Sequence, residues 1–121
     1  MQSGAIHGSV MILHDLFSEK MLDVQPWERF REGIQIHWIY RMPAGCQAAL
    51  LRYEPGASLA RHVHVGFEHI LVLRGSQIDD NGDHPAGTLL IHAPGTSHAI
   101  TSPSGCIVLA IWEKPVHMWL P

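Results

Sequence analysis

The stretch that decides the fold is GASLARHVHVGFEHILVLRG, residues 56–75. His62 and His64 are two residues apart, so on a β-strand both imidazoles point to the same face, and Glu68 has the same parity. Two imidazoles and one carboxylate on one face can supply three ligands to a divalent metal; this donor set suits iron, manganese, nickel or zinc. A fourth ligand has to come from elsewhere in the chain. His98, just after a Pro-Gly turn, is the best candidate.

The spacing of this stretch is more specific than its histidines alone. In a chain with ten histidines, a single His-x-His pair is usually a surface feature. The full pattern is Gly, five residues, His-x-His, three residues, Glu, six residues, Gly. A chance match to these five positions has a probability of about 3 in 10,000 for this composition. The pattern therefore favours a metal site.

These positions carry a family resemblance. Residues 56–75 resemble the first motif of the cupin superfamily at every fixed position, from Gly56 to Gly75. Residues 87–98 are similar to the second motif, with Gly87, Gly95 and His98 in the family spacing and the motif's proline one place late. The resemblance implies a conical, all-β jelly-roll barrel (a double-stranded β-helix). It also implies that the metal is held inside by His62, His64, Glu68 and His98.

Other segments resemble one branch of that superfamily, the ChrR-like cupins. The similar segments are residues 51–57, Gly75-Ser76, the Asp80-Asn81-Gly82 hairpin, residues 94–98 and Gly105-Cys106. The resemblance covers roughly residues 25–114. The branch includes the C-terminal domain of ChrR-type anti-sigma factors. It also includes standalone proteins related to dioxygenases that cleave hydroxylated aromatic ketones.

The rest of the chain fits a single β-rich domain. Its 121 residues include 11 glycines and 8 prolines, which favours short strands joined by turns. An arm over residues 1–33, with a strand or short helix around residues 9–17, is predicted to pack on a barrel formed by residues 34–121. Period-2 patterns and turn signals predict strands at 34–41, 47–54, 69–73, 88–92, 97–101 and 106–112.

Composition excludes several classes of partner. A net charge of −3 gives no basic field for nucleic acid or anionic membrane. No apolar run approaches the roughly 20 residues of a membrane span, and the N-terminus lacks the basic region of a secretory signal, so we expect a cytoplasmic protein. Cys46 and Cys106 belong to no Cys-x-x-Cys pair and are expected to be reduced, although spacing alone leaves a disulfide open. The apolar end, residues 116–121, is expected either to pack back on the barrel or to cover a partner subunit, and we favour a homodimer contact.

Parity and position also predict the surroundings of several other residues. Trp38 and Tyr40 share one face of a strand and could line a substrate pocket, although aromatics at this period are more often plain core. His92 could approach the pocket mouth or be a buried structural histidine, and His69 should point outward. The remaining assignments are to the surface or to turns: His7, His14, His84 and His117 as solvated, His37 without an evident partner, Arg61 away from the ligands, and Asp79, Asp80 and Asp83 as turn residues.

Three functions are compatible with this site. The leading hypothesis is a dioxygenase with one divalent ion, iron or zinc ahead of manganese or nickel. It would act on a small oxygenated substrate such as a β-diketone or hydroxyaryl ketone. The alternative is a metal-bound ligand-sensing module; residues 1–33 contain no cysteine for the zinc domain of ChrR-type proteins, so the chain should not sequester a sigma factor on its own. The third hypothesis is a sugar isomerase or epimerase. It ranks last because such enzymes usually need an acid–base pair beyond the metal, and the sequence does not identify one.

Overall fold

The fold was determined as a computed structural model, which describes residues 10–116. His7, His117 and all of the apolar end beyond residue 116 lie outside the described residues. Within residues 10–116 the chain forms one short helix, α1 (Glu19–Asp23), and nine strands. The strands are β1 (Glu28–Arg31), β2 (Ile34–Arg41), β3 (Gln47–Tyr53), β4 (Ala57–Val63), β5 (Glu68–Asp79), β6 (Gly82–Pro85), β7 (Leu89–His92), β8 (Ser97–Ser102) and β9 (Cys106–Trp112).

The strands pair antiparallel in one curled sheet. The order is β1-β2-β3-β9-β5-β8-β4, with β6 and β7 also paired to β5. The long strand β5 organises the sheet, because its first half lies between β9 and β7 and its second half reaches β6 and β8. This small all-β domain confirms the predicted cupin architecture.

Alternation along the strands divides the apolar residues between two faces. On β3, Ala49 and Leu51 belong to the larger cluster, which fills the inside of the curled sheet. Leu50, between them, packs on the outside with Leu22 of α1. The helix is capped by Ser18, whose hydroxyl accepts a hydrogen bond from the Met21 N–H. One helical turn is thus enough to cover part of the outer face.

The element boundaries differ from expectation, most clearly before residue 33 and along β5; β4 is also not among the predicted strands. Residues 11–17 form no helix or strand. The helix and strand over residues 11–32 are α1 and β1, and β1 joins the sheet beside β2. Strand β5 continues past Gly75 to Asp79, where an Asn81-Gly82 turn starts the predicted hairpin. Gly75 permits this because its φ is +75° and a Cβ there would overlap the carbonyl oxygen of Gly105.

Cys46 is exposed and Cys106 is buried, and both are free thiols, as predicted. No helix in the described part of the chain has the length and apolarity to cross a membrane.

Candidate metal centre

The sheet register brings the four predicted ligands together. His62 on β4 lies directly opposite His98 on β8. His64 follows the end of β4, and its backbone N–H donates to the Thr96 carbonyl, which ties it to the start of β8. Glu68 is the first residue of β5. All four side chains are buried, and one ligand atom from each lies within 4.8 Å of the others.

The inward-facing atoms lie close to one another. The Nε2 atoms of His62 and His98 are 3.1 Å apart. Oε1 of Glu68 is 3.0 Å from Nε2 of His64 and 3.8 Å from Nε2 of His98. Three nitrogens and one oxygen therefore face a common point.

The outward-facing nitrogens are held by neighbouring oxygens. Each Nδ1 has one partner: the Ala60 carbonyl for His62 at 3.0 Å, the Thr96 hydroxyl for His64 at 3.0 Å, and Oδ2 of Asp79 for His98 at 3.2 Å. A contact of this kind fixes the ring orientation and the tautomer of a metal-binding histidine. All three rings are thus oriented with Nε2 toward the centre.

The carboxylate is held in the same way. Nε1 of Trp112 donates to Oε2 of Glu68 at 2.6 Å, which leaves Oε1 directed at the histidines. Burial alone would raise the pKa of Glu68. The His64 and His92 rings and the Trp112 N–H outweigh burial and hold this pKa well below its ordinary value. Glu68 is therefore a carboxylate at neutral pH.

The centre has the chemistry that a divalent ion requires. Burial lowers the pKa of His62, and it lowers the pKa of His98 to about 4, so both rings are neutral and have a free lone pair. Nε2 of His64 and Nδ1 of His92 lie 3.0 and 3.1 Å from Oε1 of Glu68, but none of these three buried atoms makes a hydrogen bond of proper geometry. Such orphaned atoms are rare in proteins. A divalent cation ligated by imidazole nitrogen and carboxylate oxygen would satisfy two of the three directly.

His92 is the neighbour that sequence reasoning did not place firmly. It is 8% exposed, and its Nδ1 lies 3.1 Å from Oε1 of Glu68. Its ring stacks on His64 with centroids 4.7 Å apart. The cause is the pairing of β5 with β7, which sets His92 opposite Glu68. The sequence gives no signal of this until that register is known.

The β5–β6 hairpin contributes two further polar residues. The side chain of Asp79 is fully buried, and its Oδ1 lies 2.7 Å from Nε2 of His84. The interpretation of His84 as solvated is wrong, because the residue is only 9% exposed. Asp79 also does more than shape a turn, since it forms a second candidate metal-binding group with His92 and His98.

Trp38 and Tyr40 do not lie on the same face of β2. A β-bulge lies between them, with Trp38 opposite Ala49 and Tyr40 opposite Ala48. Trp38 packs on the interior cluster beside Trp112, with ring centroids 6.0 Å apart, whereas Tyr40 is exposed. The structure thus brings Trp38, but not Tyr40, toward the centre.

The remaining assignments divide between surface and interior. Arg61 is exposed and pairs with Asp80 at 2.8 Å, away from the centre. His14 is exposed and His69 is half-buried. His37 is buried and interacts with a neighbour.

Comparisons with known proteins give a family and a fold. The profile of the ChrR cupin-like domain family matches residues 20–116. No curated protein sequence matches the chain. A chain in the structure of Rhodobacter sphaeroides SigE in complex with the anti-sigma ChrR is 26% identical with a TM-score of 0.68, over 76% of this chain and 50% of that one.

Two other solved structures share the fold. An acetylacetone dioxygenase from Acinetobacter johnsonii is 17% identical with a TM-score of 0.73, over 93% of this chain and 79% of that one. An RmlC-like cupin protein from Ralstonia eutropha is 21% identical with a TM-score of 0.69, over 75% of this chain and 64% of that one. The chain thus spans about half the length of the matched chain in the SigE–ChrR complex and most of the dioxygenase.

Proposed function

This chain belongs to the ChrR cupin-like family, and from this premise we propose that it binds one divalent metal ion through His62, His64, Glu68 and His98. The observation that carries the proposal is the convergence of three oriented imidazoles on a buried carboxylate whose Oε1 makes no hydrogen bond of proper geometry. Three neutral imidazoles and one carboxylate would leave a divalent ion with a net charge of +1.

We propose further that the protein is an iron-dependent dioxygenase for a small oxygenated substrate. A bound ferrous ion would supply Lewis acidity and one-electron redox chemistry. The chain's own contribution is positional: the contacts at Nδ1 hold the imidazoles, and Trp112 holds Glu68. The four protein ligands would leave positions on the ion open to a ligand with two neighbouring oxygens.

The apolar wall beside the centre favours a substrate with a hydrocarbon body. Trp112 joins Glu68 to the interior cluster, and Trp38 and Phe30 continue the same aromatic surface. These rings would exclude water and pack against carbon atoms while the polar end of the substrate faces Glu68. Trp38 is proposed to line the pocket; Tyr40, beyond the bulge, can serve only at its rim. A β-diketone or hydroxyaryl ketone has both parts.

Oxygen consumption tests the activity. Protein loaded anaerobically with ferrous iron should consume oxygen when given acetylacetone or a 2-hydroxyaryl ketone, and zinc-loaded protein should not. The variants His64→Ala and His98→Ala should lose bound metal and oxygen uptake together, whereas His14→Ala, at an exposed position, should retain both. Equal metal content in all three variants would disprove the ligand assignment. Full iron occupancy without turnover on a broad panel would disprove the dioxygenase.

A second candidate is a metal-bound sensory module. It is favoured by the 26% identity to a chain of the SigE–ChrR complex, in which ChrR is the anti-sigma factor. In this case the same four residues would hold zinc, and ligand binding would change a contact with another protein. Zinc without iron in protein from the native host, together with recovery of one specific partner, would favour this candidate over the dioxygenase.

We also propose that the protein is a cytoplasmic homodimer. Across β7, β5 and β9, Ile91 and Ile111 flank His69 on the outer face and are 58% and 37% exposed. Apolar rows of this kind favour contact with a second copy. Light scattering after size exclusion should give twice the chain mass, and Ile91→Lys should give the monomer; a wild-type monomer would disprove the dimer.

A further inference from the structure

Asp79 is a buried carboxylate that neither cupin-like motif contains. It ends β5 at the hairpin, between the two motifs along the chain, and its side chain has no solvent exposure. Its Oδ2 lies 3.2 Å from Nδ1 of His98. Its Oδ1 lies 2.7 Å from Nε2 of His84 and accepts from the Asn81 backbone N–H at 2.8 Å. The carboxylate is therefore fixed on one side by the hairpin and faces His98 on the other.

The contact with His98 differs from those of the other two histidines. His62 and His64 meet neutral acceptors at Nδ1, a backbone carbonyl and a hydroxyl. Among these three contacts, the one to His98 is made to a carboxylate. A charged acceptor holds a hydrogen bond about twice as strongly as a neutral one. It also selects the tautomer in which Nδ1 bears the proton and Nε2 keeps its lone pair.

Asp79 is held in place by its neighbours. The contacts of Oδ1 with the His84 ring and the Asn81 N–H fix the position of the carboxyl group. His84, whose side chain is 11% exposed, covers the outer side of the Asp79 carboxylate. The same Oδ2 is 3.8 Å from Nε2 of His92, so one carboxylate faces two of the rings around Glu68.

We propose that Asp79, held in place by His84, is a positioning residue of the metal centre, which orients His98 for ligation and raises the affinity for the ion. This inference rests on the proposed metal ligands. Outer partners of metal-binding histidines typically contribute about 10- to 100-fold in affinity. The hairpin would then set how tightly the ion is held, although it contributes no ligand itself.

The test compares isosteric variants on the same hairpin. Asp79→Asn keeps the size of the side chain and removes its charge; Asp83→Asn makes the same change at an exposed position and is the control. His84→Gln tests the outer contact and serves as the second variant if Asp79→Asn fails to fold. Each full-length protein is titrated with Zn²⁺ and Co²⁺ against a competing chelator. The visible spectrum and the shifted imidazole N–H proton signals of the Co²⁺ form are then recorded.

The expected result is a Kd for both ions about 10- to 100-fold higher for Asp79→Asn. His84→Gln should show a smaller increase, and Asp83→Asn should match the wild type. The Co²⁺ form of Asp79→Asn should also lose or broaden one N–H signal, that of His98. An unchanged Kd and spectrum would overturn the inference, even if the metal-free protein unfolds at lower urea, because that result indicates a purely structural role. A wild type that binds neither ion would overturn the ligand assignment, and this inference with it.

Discussion

Replacing Trp112 with phenylalanine should destabilise the metal-free protein through Glu68. The indole N–H donates to Oε2 of Glu68 at 2.6 Å, and the two residues are 2% and 3% exposed. Solvent therefore cannot replace the donor. A hydrogen bond to a charged group contributes about 1.5–3 kcal/mol. For an unfolding slope of about 2 kcal/mol per molar urea, we expect the midpoint of Trp112→Phe to fall by about 1 M.

A double-mutant cycle separates this hydrogen bond from the loss of indole volume. In a Glu68→Gln background the acceptor is neutral, so Trp112→Phe should cost less, with a coupling of about 1–2 kcal/mol. The assay is urea unfolding of chelator-treated protein at pH 7. Trp27→Phe is the matched control, because Nε1 of Trp27 donates to the neutral Leu22 carbonyl at 2.9 Å. It should show no coupling to Glu68→Gln. Additivity of the Trp112 and Glu68 changes within about 0.5 kcal/mol would refute the reasoning.

Three further predictions concern pH, backbone geometry and thiol chemistry. Burial lowers the pKa of His98 to about 4, so the unfolded chain takes up a proton near pH 6.5 while the folded chain does not. The free energy of unfolding of the metal-free protein should therefore fall as the pH is lowered from about 6.5 to about 4. The profile of His98→Gln should be flatter, and coincidence of the two profiles would contradict this prediction. Gly75→Ala should lower the free energy of unfolding in urea by more than about 3 kcal/mol, because its Cβ would overlap a carbonyl oxygen. Gly82→Ala has open space around it and should lower it by about 1–2 kcal/mol, the strain of its φ of +121°. Equal losses for the two variants would contradict this prediction. Burial raises the pKa of Cys106 to about 11, whereas Cys46 is exposed. A thiol reagent should therefore modify Cys46 in the native protein and both cysteines after unfolding. Rapid modification of two thiols in the native state would contradict the burial of Cys106.

The proposed ligands were accessible to sequence reasoning because their relation is mostly local. His62 and His64 share a face through the period of a strand, and Glu68 follows after a short connection. His98 is farther along the chain, and the second motif identified it. The register that sets His98 opposite His62 is a property of the folded sheet.

The residues around those ligands were missed for the opposite reason. His92 meets Glu68 only through the pairing of β5 with β7, and Asp79 reaches His98 only because β5 continues through Gly75 toward β8. Both relations depend on strand register, which the composition of one segment does not encode. The assumed shared face of Trp38 and Tyr40 failed in a related way, since one β-bulge reverses the alternation beyond it.

The place of β9 in the sheet has a consequence for how the protein is made. This strand, Cys106–Trp112, pairs with both β3 and β5, so it lies at the centre of the sheet although it follows the other described strands along the chain. During synthesis the ribosome releases both neighbours before the strand that joins them. Until then β3 and β5 each present an unpaired edge, and Glu68 lacks its Trp112 donor. The nascent domain therefore has to wait for release of residue 112 before its interior can close.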